Sequence, residues 1–449
     1  MERKAIAKII SWNTHNEAVC ASAAKMSTTK GNANEIFEKT VNNPGNTELI
    51  KKVLHSGHKS VIEHAVFSIA FWDVSAYVEQ FLIECRLASF TVKSRRYVDF
   101  SNLGYLIPAD LKDEDLKQYC EYVDFLFDGY RVLLDKGIPK EDARFVLPYS
   151  FCSNFYCTLN ARELGNLINA IQHGRGRGIP ELQEIATQLI DQIATIFPAL
   201  LSEFECGCDR NQCANPTAPF ALSQNVEFVN ACDAGNLELL QAPQNPEKIL
   251  MHAALTASPN QSGEIDIAKL VNSSRPRELE HLTYTFAITD LTLSGITHLV
   301  RHRMQSIVLP SIQLVNHSRY IIPDTIEHDL DAKAYYIQLL TAAHAKLRKM
   351  MGSEILKGYS YYLAVSGNMM NVMTTMNARE LMLFIRLRSC NRAQWEIRHV
   401  ATRMLALLRE HYPKLFNLFG PTCVIKGMCP EGRLSCGKKE EMMRLFGTK

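Results

Sequence analysis

"EHAVFSIAFWDVSAYVEQFLIECRLAS", residues 63–89, and "EHLTYTFAITDLTLSGITHLVRHRMQS", residues 280–306, are two versions of one pattern. Glu63, His64, Arg86 and Ser89 recur as Glu280, His281, Arg303 and Ser306, each 217 positions later (280 − 63 = 217). Downstream, "NAREL" from Asn160 returns as "NAREL" from Asn377 at the same offset (377 − 160 = 217). A constant offset held over about 100 residues marks an internal duplication, and solenoid units are only roughly 20–50 residues long. Two whole domains are therefore expected. "DRNQCANPTAPFALSQN", from Asp209, carries neither helical nor strand periodicity and is the expected linker. The expected domains are residues 1–215 and 216–449.

Both halves show the same coarse order. A helix-rich opening, "NTELIKKVLHSG" in the first half, leads to an alternating run, "VFSIAFWDVS" or "LTYTFAITDL", that reads as a strand. Long helical patterns follow, "DLKQYCEYVDFLFDGYRVLLDKG" and "AKAYYIQLLTAAHAKLRKMMGSEILKGY". The expected class is α+β, helix-rich, with a small sheet in each half.

Composition narrows the function. Lys and Arg total 49 against 47 Asp and Glu, a net charge of +2, which lacks the basic excess of a nucleic-acid binder. Arg301, His302 and Arg303, side by side, are thus a local feature suited to a small anion, since guanidinium groups bind phosphate through paired hydrogen bonds. The apolar "SGITHLV" before them points to a buried, anion-facing use. "MERKAIAKIISWNTHNEAVC" has no signal-peptide core, no run of 18 apolar residues occurs, and 13 cysteines without a secretory signal read as reduced thiols. A cytoplasmic protein without a membrane span is expected.

Metal chemistry finds little support. His58, Ser60, Glu63 and His64 crowd together in "HSGHKSVIEH" but lack the HExxH spacing. Cys206, Cys208 and Cys213, and later Cys423, Cys429 and Cys436, lack paired CxxC spacing, so no metal site is expected. GxGxxG after a strand, GxxxxGK[ST] and GxSxG are all absent. Asn160 and Asn377 are good helix N-caps, and their repetition also suits a shared binding role.

These motifs resemble those of the flavin-dependent thymidylate synthases. That family carries RHRxxSxNExSxRY after an HxxxxEH element, followed by NxR and an LR…AQWEI segment. The first half keeps His58, Ser60, Glu63 and His64, then Arg86, Ser89, Ser94, Arg96 and Tyr97, Arg144 in "ARFVLP", and Asn160 and Arg162. Its leading Arg-His has become Glu84-Cys85, the Asn-Glu pair has become Thr91-Val92, and its LR…AQWEI segment is not recognisable. The second half keeps Arg301, His302, Arg303, Ser306, Asn377, Arg379 and Arg388 in "RLRSCNRAQWEI", with Arg392 in place of a family His. Arg275 and Arg277 stand where His58 and Ser60 stand in the first half, about six extra residues precede "SRY" at Ser318–Tyr320, and Tyr361 replaces Arg144.

The resemblance implies FAD-dependent reductive methylation of dUMP to dTMP, with NADPH as reductant and methylenetetrahydrofolate as carbon donor. It implies that Ser94, Arg96, Arg144, Arg301 and Arg388 bind the nucleotide, with Arg388 stabilising charge that develops on the pyrimidine. It assigns His58, Ser60, Glu63, Arg301, His302, Arg303, Asn377 and Arg379 to the flavin, and no cysteine nucleophile. Family members are tetramers with active sites between subunits. The complementary losses therefore imply a homodimer that imitates the tetramer, with composite sites between unlike halves. The missing Asn-Glu pair leaves open a flavoenzyme acting on another pyrimidine nucleotide, or a non-catalytic flavin or nucleotide binder.

Overall fold

A computed structural model describes residues 4–204, 222–258 and 265–447. All but the last four residues of the expected linker, and Cys206, Cys208 and Cys213, lie outside the described residues. The described residues form two compact units. One comprises those of Met1–Phe220 with Ser311–Leu314 and Leu339–Ala364; the other comprises those of Ala221–Pro310, Val315–Gln338 and Val365–Lys449. Among the described residues no helix is long and apolar enough to cross a membrane.

The first unit is built on an antiparallel sheet of β1 (Ile6–Trp12), β2 (Val66–Ser75), β3 (Ala88–Val92) and β4 (Cys152–Asn160), in the order β1-β2-β4-β3. Period-two alternation buries Phe67, Ile69 and Phe71 along β2. The edge strand β1 is closed by side chains. Gln188 and Gln192, one helical turn apart on the helix Pro180–Ile196, accept from the N–H groups of Ala7 and Ile9 (2.8 Å each) and donate to the carbonyls of Ala5 and Ala7 (2.9 Å each). An edge whose backbone groups are already paired offers no template for another chain.

The long helix Asp113–Asp135 packs in this unit against Leu339–Ala364. A Cβ on Gly129 would lie 2.3 Å from Leu339 Cδ2, so any larger residue there would force the Leu339 side chain to move. Tyr122 donates its hydroxyl to the Leu363 carbonyl (3.1 Å), and the Tyr149 N–H donates to the Ala364 carbonyl (2.7 Å).

The second unit repeats the plan with more strands: β5 (Glu227–Asn230), β6 (Asn236–Gln241), β7 (Thr283–Thr292), β8 (Gln305–Val308), β9 (Asn316–Ile322) and β10 (Asn368–Asn377). The order is β5-β9-β10-β7-β6, with β8 also on β10; β5 and β9 are parallel and the other pairs antiparallel. β7 and β8 start 217 residues after β2 and β3 (283 − 66 and 305 − 88), and β10 ends 217 residues after β4 (377 − 160). Fine detail follows the same offset. Asp73 and Asp290 both take left-handed φ values, +53° and +59°, at strand irregularities where Asn154 and Asn371 accept their N–H groups at 3.2 Å. The expected α+β fold with a small sheet in each half is what the chain adopts.

One buried carboxylate fixes each strand-to-helix corner. In the first unit Glu181 accepts from the Ser75 N–H (2.7 Å) and hydroxyl (2.6 Å), while Ser75 caps the helix Ala76–Ile83. In the second unit Glu396 accepts from the Thr292 N–H (2.7 Å) and hydroxyl, and Thr292 caps the helix Leu293–Leu299. Removing Glu396 strands two buried donors, so Glu396→Ala is expected to cost about 1–3 kcal/mol, and Glu396→Gln less because its amide oxygen still accepts. Urea unfolding followed by circular dichroism reads the difference.

Candidate functional site

In the first unit the turn after β3 carries Ser94, Arg95 and Arg96, and two short helices, Lys140–Ala143 and Arg144–Val146, bring Glu141 and Arg144 beside it. Arg96 grips both oxygens of Glu141, at 2.9 Å from Nε and 3.2 Å from Nη2. Its backbone N–H donates to the Ser94 hydroxyl at 3.3 Å. Arg95 is buried against Glu79 and stacks over Phe151 with its guanidinium carbon 4.8 Å from the ring centroid.

Arg144 is the anomaly. It is 3% exposed, and its Nε donates to the Glu141 carbonyl at 3.0 Å. Its Nη2 is buried and has no hydrogen-bond partner among the described residues. Burial pushes the guanidinium down to about 10, repulsion from Arg95 and Arg96 adds to this, and Glu141 and Asp142 oppose it. A buried cation with an unsatisfied donor is costly in isolation, and an anion bound beside it removes that cost. Sequence reasoning selected Arg144 and Arg96 but missed Glu141, although it lies only three residues before Arg144.

His58, just before the short helix Lys59–His64, and Ser60 and Glu63 on it lie exposed, and Glu63 pairs with Arg162 at 2.6 Å. Asn160 caps the helix Ala161–Gln172 by accepting the Glu163 N–H at 2.9 Å. Burial pushes the Cys85 thiol up to about 12, so it is protonated at neutral pH.

The second unit divides the basic triplet. Arg301 and Arg303 are exposed, and only His302 is buried, at 5% exposure. The triplet therefore does not sit buried as a block. The His302 Nδ1 is 2.9 Å from Glu380 Oε1, and Arg388 Nε donates to His302 Nε2 at 2.9 Å. Burial holds the imidazole below the ordinary histidine value, the hydrogen bond to Glu380 opposes this, and Arg388 adds to it. Glu380 lies inside the repeated "NAREL" and was available to sequence reasoning as a partner for the triplet.

Asn377 caps the helix Ala378–Arg388 by accepting the Glu380 N–H at 2.8 Å. Arg379 pairs with Glu280, and this hydrogen bond holds the Glu280 carboxyl below its usual range. Glu280, Met304, Asn377, Arg379, Leu383 and Arg386 line a groove of about 660 Å³ that mixes apolar and cationic walls. Such a lining fits a ligand with an aromatic ring and anionic groups, as a flavin nucleotide has.

The remaining motif copies have become structural. Arg319, in the second "SRY", lies on β9 and pairs with Asp290 (3.0 Å) and Glu227 (3.3 Å). Tyr361, at the position of Arg144, is buried in the first unit with its ring centroid 4.5 Å from that of Tyr77. Each unit thus keeps a different set of the motif's polar groups together: Ser94, Arg96 and Arg144 in the first, and His302, Arg388, Asn377 and Arg379 in the second.

Among the described residues no three His, Cys, Asp or Glu side chains are grouped as metal ligands. The family described as "Thymidylate synthase complementing protein" matches at residues 8–199 and again at 238–414. The flavin-dependent thymidylate synthase of Clostridium tetani is 33% identical over 242 residues, 47% of this chain and 96% of that protein. The enzyme of the same name from Sulfurisphaera tokodaii is 35% identical over 253 residues, 54% of this chain and 97% of that protein. A solved structure, the UMP/dUMP methylase PolB from Streptomyces cacaoi bound with 5-Br dUMP, is 25% identical and covers 45% of this chain and 95% of its own, with a TM-score of 0.37. Two family matches that together span most of its length show that the chain belongs to the thymidylate synthase complementing family, that of the flavin-dependent thymidylate synthases, and carries the family's domain twice.

Proposed function

We propose that the chain catalyses reductive methylation of dUMP to dTMP, using FAD, NADPH and methylenetetrahydrofolate. The observation that carries this reading is Arg144, a buried guanidinium beside Arg95 and Arg96 whose Nη2 has no partner among the described residues. Arg95 and Arg96 already have carboxylate partners in Glu79 and Glu141, so it is the spare Arg144 donor that a nucleotide phosphate would satisfy.

Ser94 through its backbone N–H, with Arg96, Arg144 and Arg301, binds and orients the nucleotide. Arg388 faces the pyrimidine and stabilises charge developing there, because a fixed guanidinium needs no reorganisation at the moment of reaction. His58, Ser60, Glu63, Arg301, Arg303, Asn377 and Arg379 hold the flavin; His302, with both ring nitrogens engaged, acts from within its domain. When bound, the reduced flavin supplies the hydride. Neither half carries both sets, so the active site combines unlike halves of a homodimer. Positioning of nucleotide, folate and flavin within one such site supplies much of the rate enhancement.

A second reading rests on the missing Asn-Glu pair, for which the first half has Thr91-Val92 and the second offers only Val308-Leu309 or Asn316-His317. It is a flavoenzyme of the same construction acting on another pyrimidine nucleotide. Anaerobic reduction of the purified protein, then mass spectrometry of the products from dUMP and methylenetetrahydrofolate, decides between them. Thymidylate supports the first reading. Flavin reduction without thymidylate favours the second, and a protein that retains no flavin sinks both.

Arg144 also predicts two effects of opposite sign. Replacing this buried guanidinium, whose desolvation outweighs the help of Glu141 and Asp142, by an apolar side chain of similar length is expected to stabilise the ligand-free protein by about 1–4 kcal/mol. The same Arg144→Met change should weaken dUMP binding by about 2–5 kcal/mol, the usual loss when one partner of a desolvated charge pair is removed. Thermal unfolding without ligand and calorimetric titration with dUMP read the two. A variant that loses both stability and affinity would show that Arg144 serves folding alone.

A further inference from the structure

We infer that Glu380 and His302 form a positioning relay that aims the Arg388 guanidinium, so that His302 acts on the substrate only through Arg388. This rests on the proposed role of Arg388 at the pyrimidine.

The relay is built along one helix face. Glu380, Phe384 and Arg388 stand four residues apart on Ala378–Arg388, and such spacing lines side chains up in one stripe. His302 lies along that stripe. Its ring meets Phe384 edge to face at 4.8 Å between centroids, which fixes the imidazole plane. Glu380, 6% exposed, is itself held in the first helical turn, where Asn377 accepts its N–H.

Hydrogen-bond chemistry then sets the tautomer. A carboxylate only accepts, so the His302 Nδ1 carries the proton that points at Glu380 Oε1, 2.9 Å away. The Nε2 of a neutral imidazole is then an acceptor, and it takes the Arg388 Nε–H at 2.9 Å. This bond engages the Nε–H and fixes the guanidinium plane, which orients the two Nη groups. Protonated His302 would turn an N–H toward Arg388 and lose that bond. The charged groups facing the imidazole are Glu380 and Arg388, and burial favours the neutral ring.

The first half is a natural control. At the positions 217 residues earlier stand Glu163, Leu167 and Ile171, with Cys85 in place of His302. Cys85 is near enough to Glu163 for the carboxylate to act on its thiol. The first half keeps the outer residues Arg86, Asn160 and Arg162, and keeps the carboxylate. The imidazole and the guanidinium are missing together, as expected if the only task of the first is to hold the second.

Three variants of the full-length protein test this: His302→Ala, His302→Gln and Arg388→Ala. Glutamine can accept from Arg388 and donate to Glu380, and it does not titrate. His302→Ala is expected to lower kcat for thymidylate formation about 100-fold, the scale of a misplaced catalytic group, with KM for dUMP nearly unchanged. His302→Gln should recover most of that loss. The wild type should lose activity on the acid side as His302 protonates, and His302→Gln should lack that limb. Equal losses in both His302 variants, each with a wild-type unfolding midpoint, would overturn the relay.

A second readout does not need turnover. With ¹⁵N-labelled histidine, the signal missing from His302→Gln identifies His302. It should show a neutral ring protonated on Nδ1, and Arg388→Ala should raise its pKa. A ring protonated on Nε2 would overturn the inference. If the wild type makes no thymidylate but the ring has the expected tautomer and shift, the proposed reaction fails and the relay stands.

Discussion

The corner carboxylate is the constraint on which the second unit's chemistry depends. Glu396 takes both the N–H and the hydroxyl of Thr292, where β7 ends and the helix Leu293–Leu299 begins. That helix leads directly into Arg301, His302 and Arg303. Glu396 also belongs to the helix Trp395–His411, which Gln394 caps by accepting the Ile397 N–H at 3.0 Å. A displaced corner would move His302 away from Glu380 and Arg388, whose bonds tolerate only a few tenths of an ångström. The family segment "AQWEI" therefore works as a brace for the site.

The two units share this scaffold and differ in what it presents. Both have the corner, the paired strand irregularities at Asp73 and Asp290, and the asparagine caps at Asn160 and Asn377. Around that frame the first unit holds cations beside Glu141, and the second holds Arg388 on His302. At positions that match candidates of the other half, the side chains serve structure: Arg319 pairs with Asp290 and Glu227, Tyr361 packs on Tyr77, and Ile171 is core. An apolar side chain at a buried position carries none of the desolvation cost of a charge.

Much of the frame was legible because repetition is a strong signal and amphipathic strands and helices have different periods. β2, β7 and the helices after "NAREL" could be read directly from alternation and from asparagine caps. β4 and β10, "CSNFYCTLN" and "NMMNVMTTMN", could not, because apolar Tyr156 and Met373 stand on the exposed face while polar Ser153, Asn368 and Thr374 are buried, so hydropathy does not follow the alternation of burial. The corner carboxylate of the first half was hidden for another reason. "AQWEI" has shrunk there to Glu181 in "IPEL", and its offset is 215 rather than 217 (396 − 181 = 215). Only the shared hydrogen bonds identify it. The division of Arg301, His302 and Arg303 into two exposed guanidiniums and one buried imidazole was also invisible, since adjacency in sequence says nothing about which side chain turns inward.

One active site, as proposed, requires contributions from both halves. The most direct test is the number of tight dUMP sites per chain, measured by calorimetric titration of the flavin-loaded protein at known chain concentration. If each half supplies only its own set, unlike halves pair one to one and a two-fold dimer holds one nucleotide per chain. Two equivalent sites per chain would mean that each half is self-sufficient, which contradicts the account.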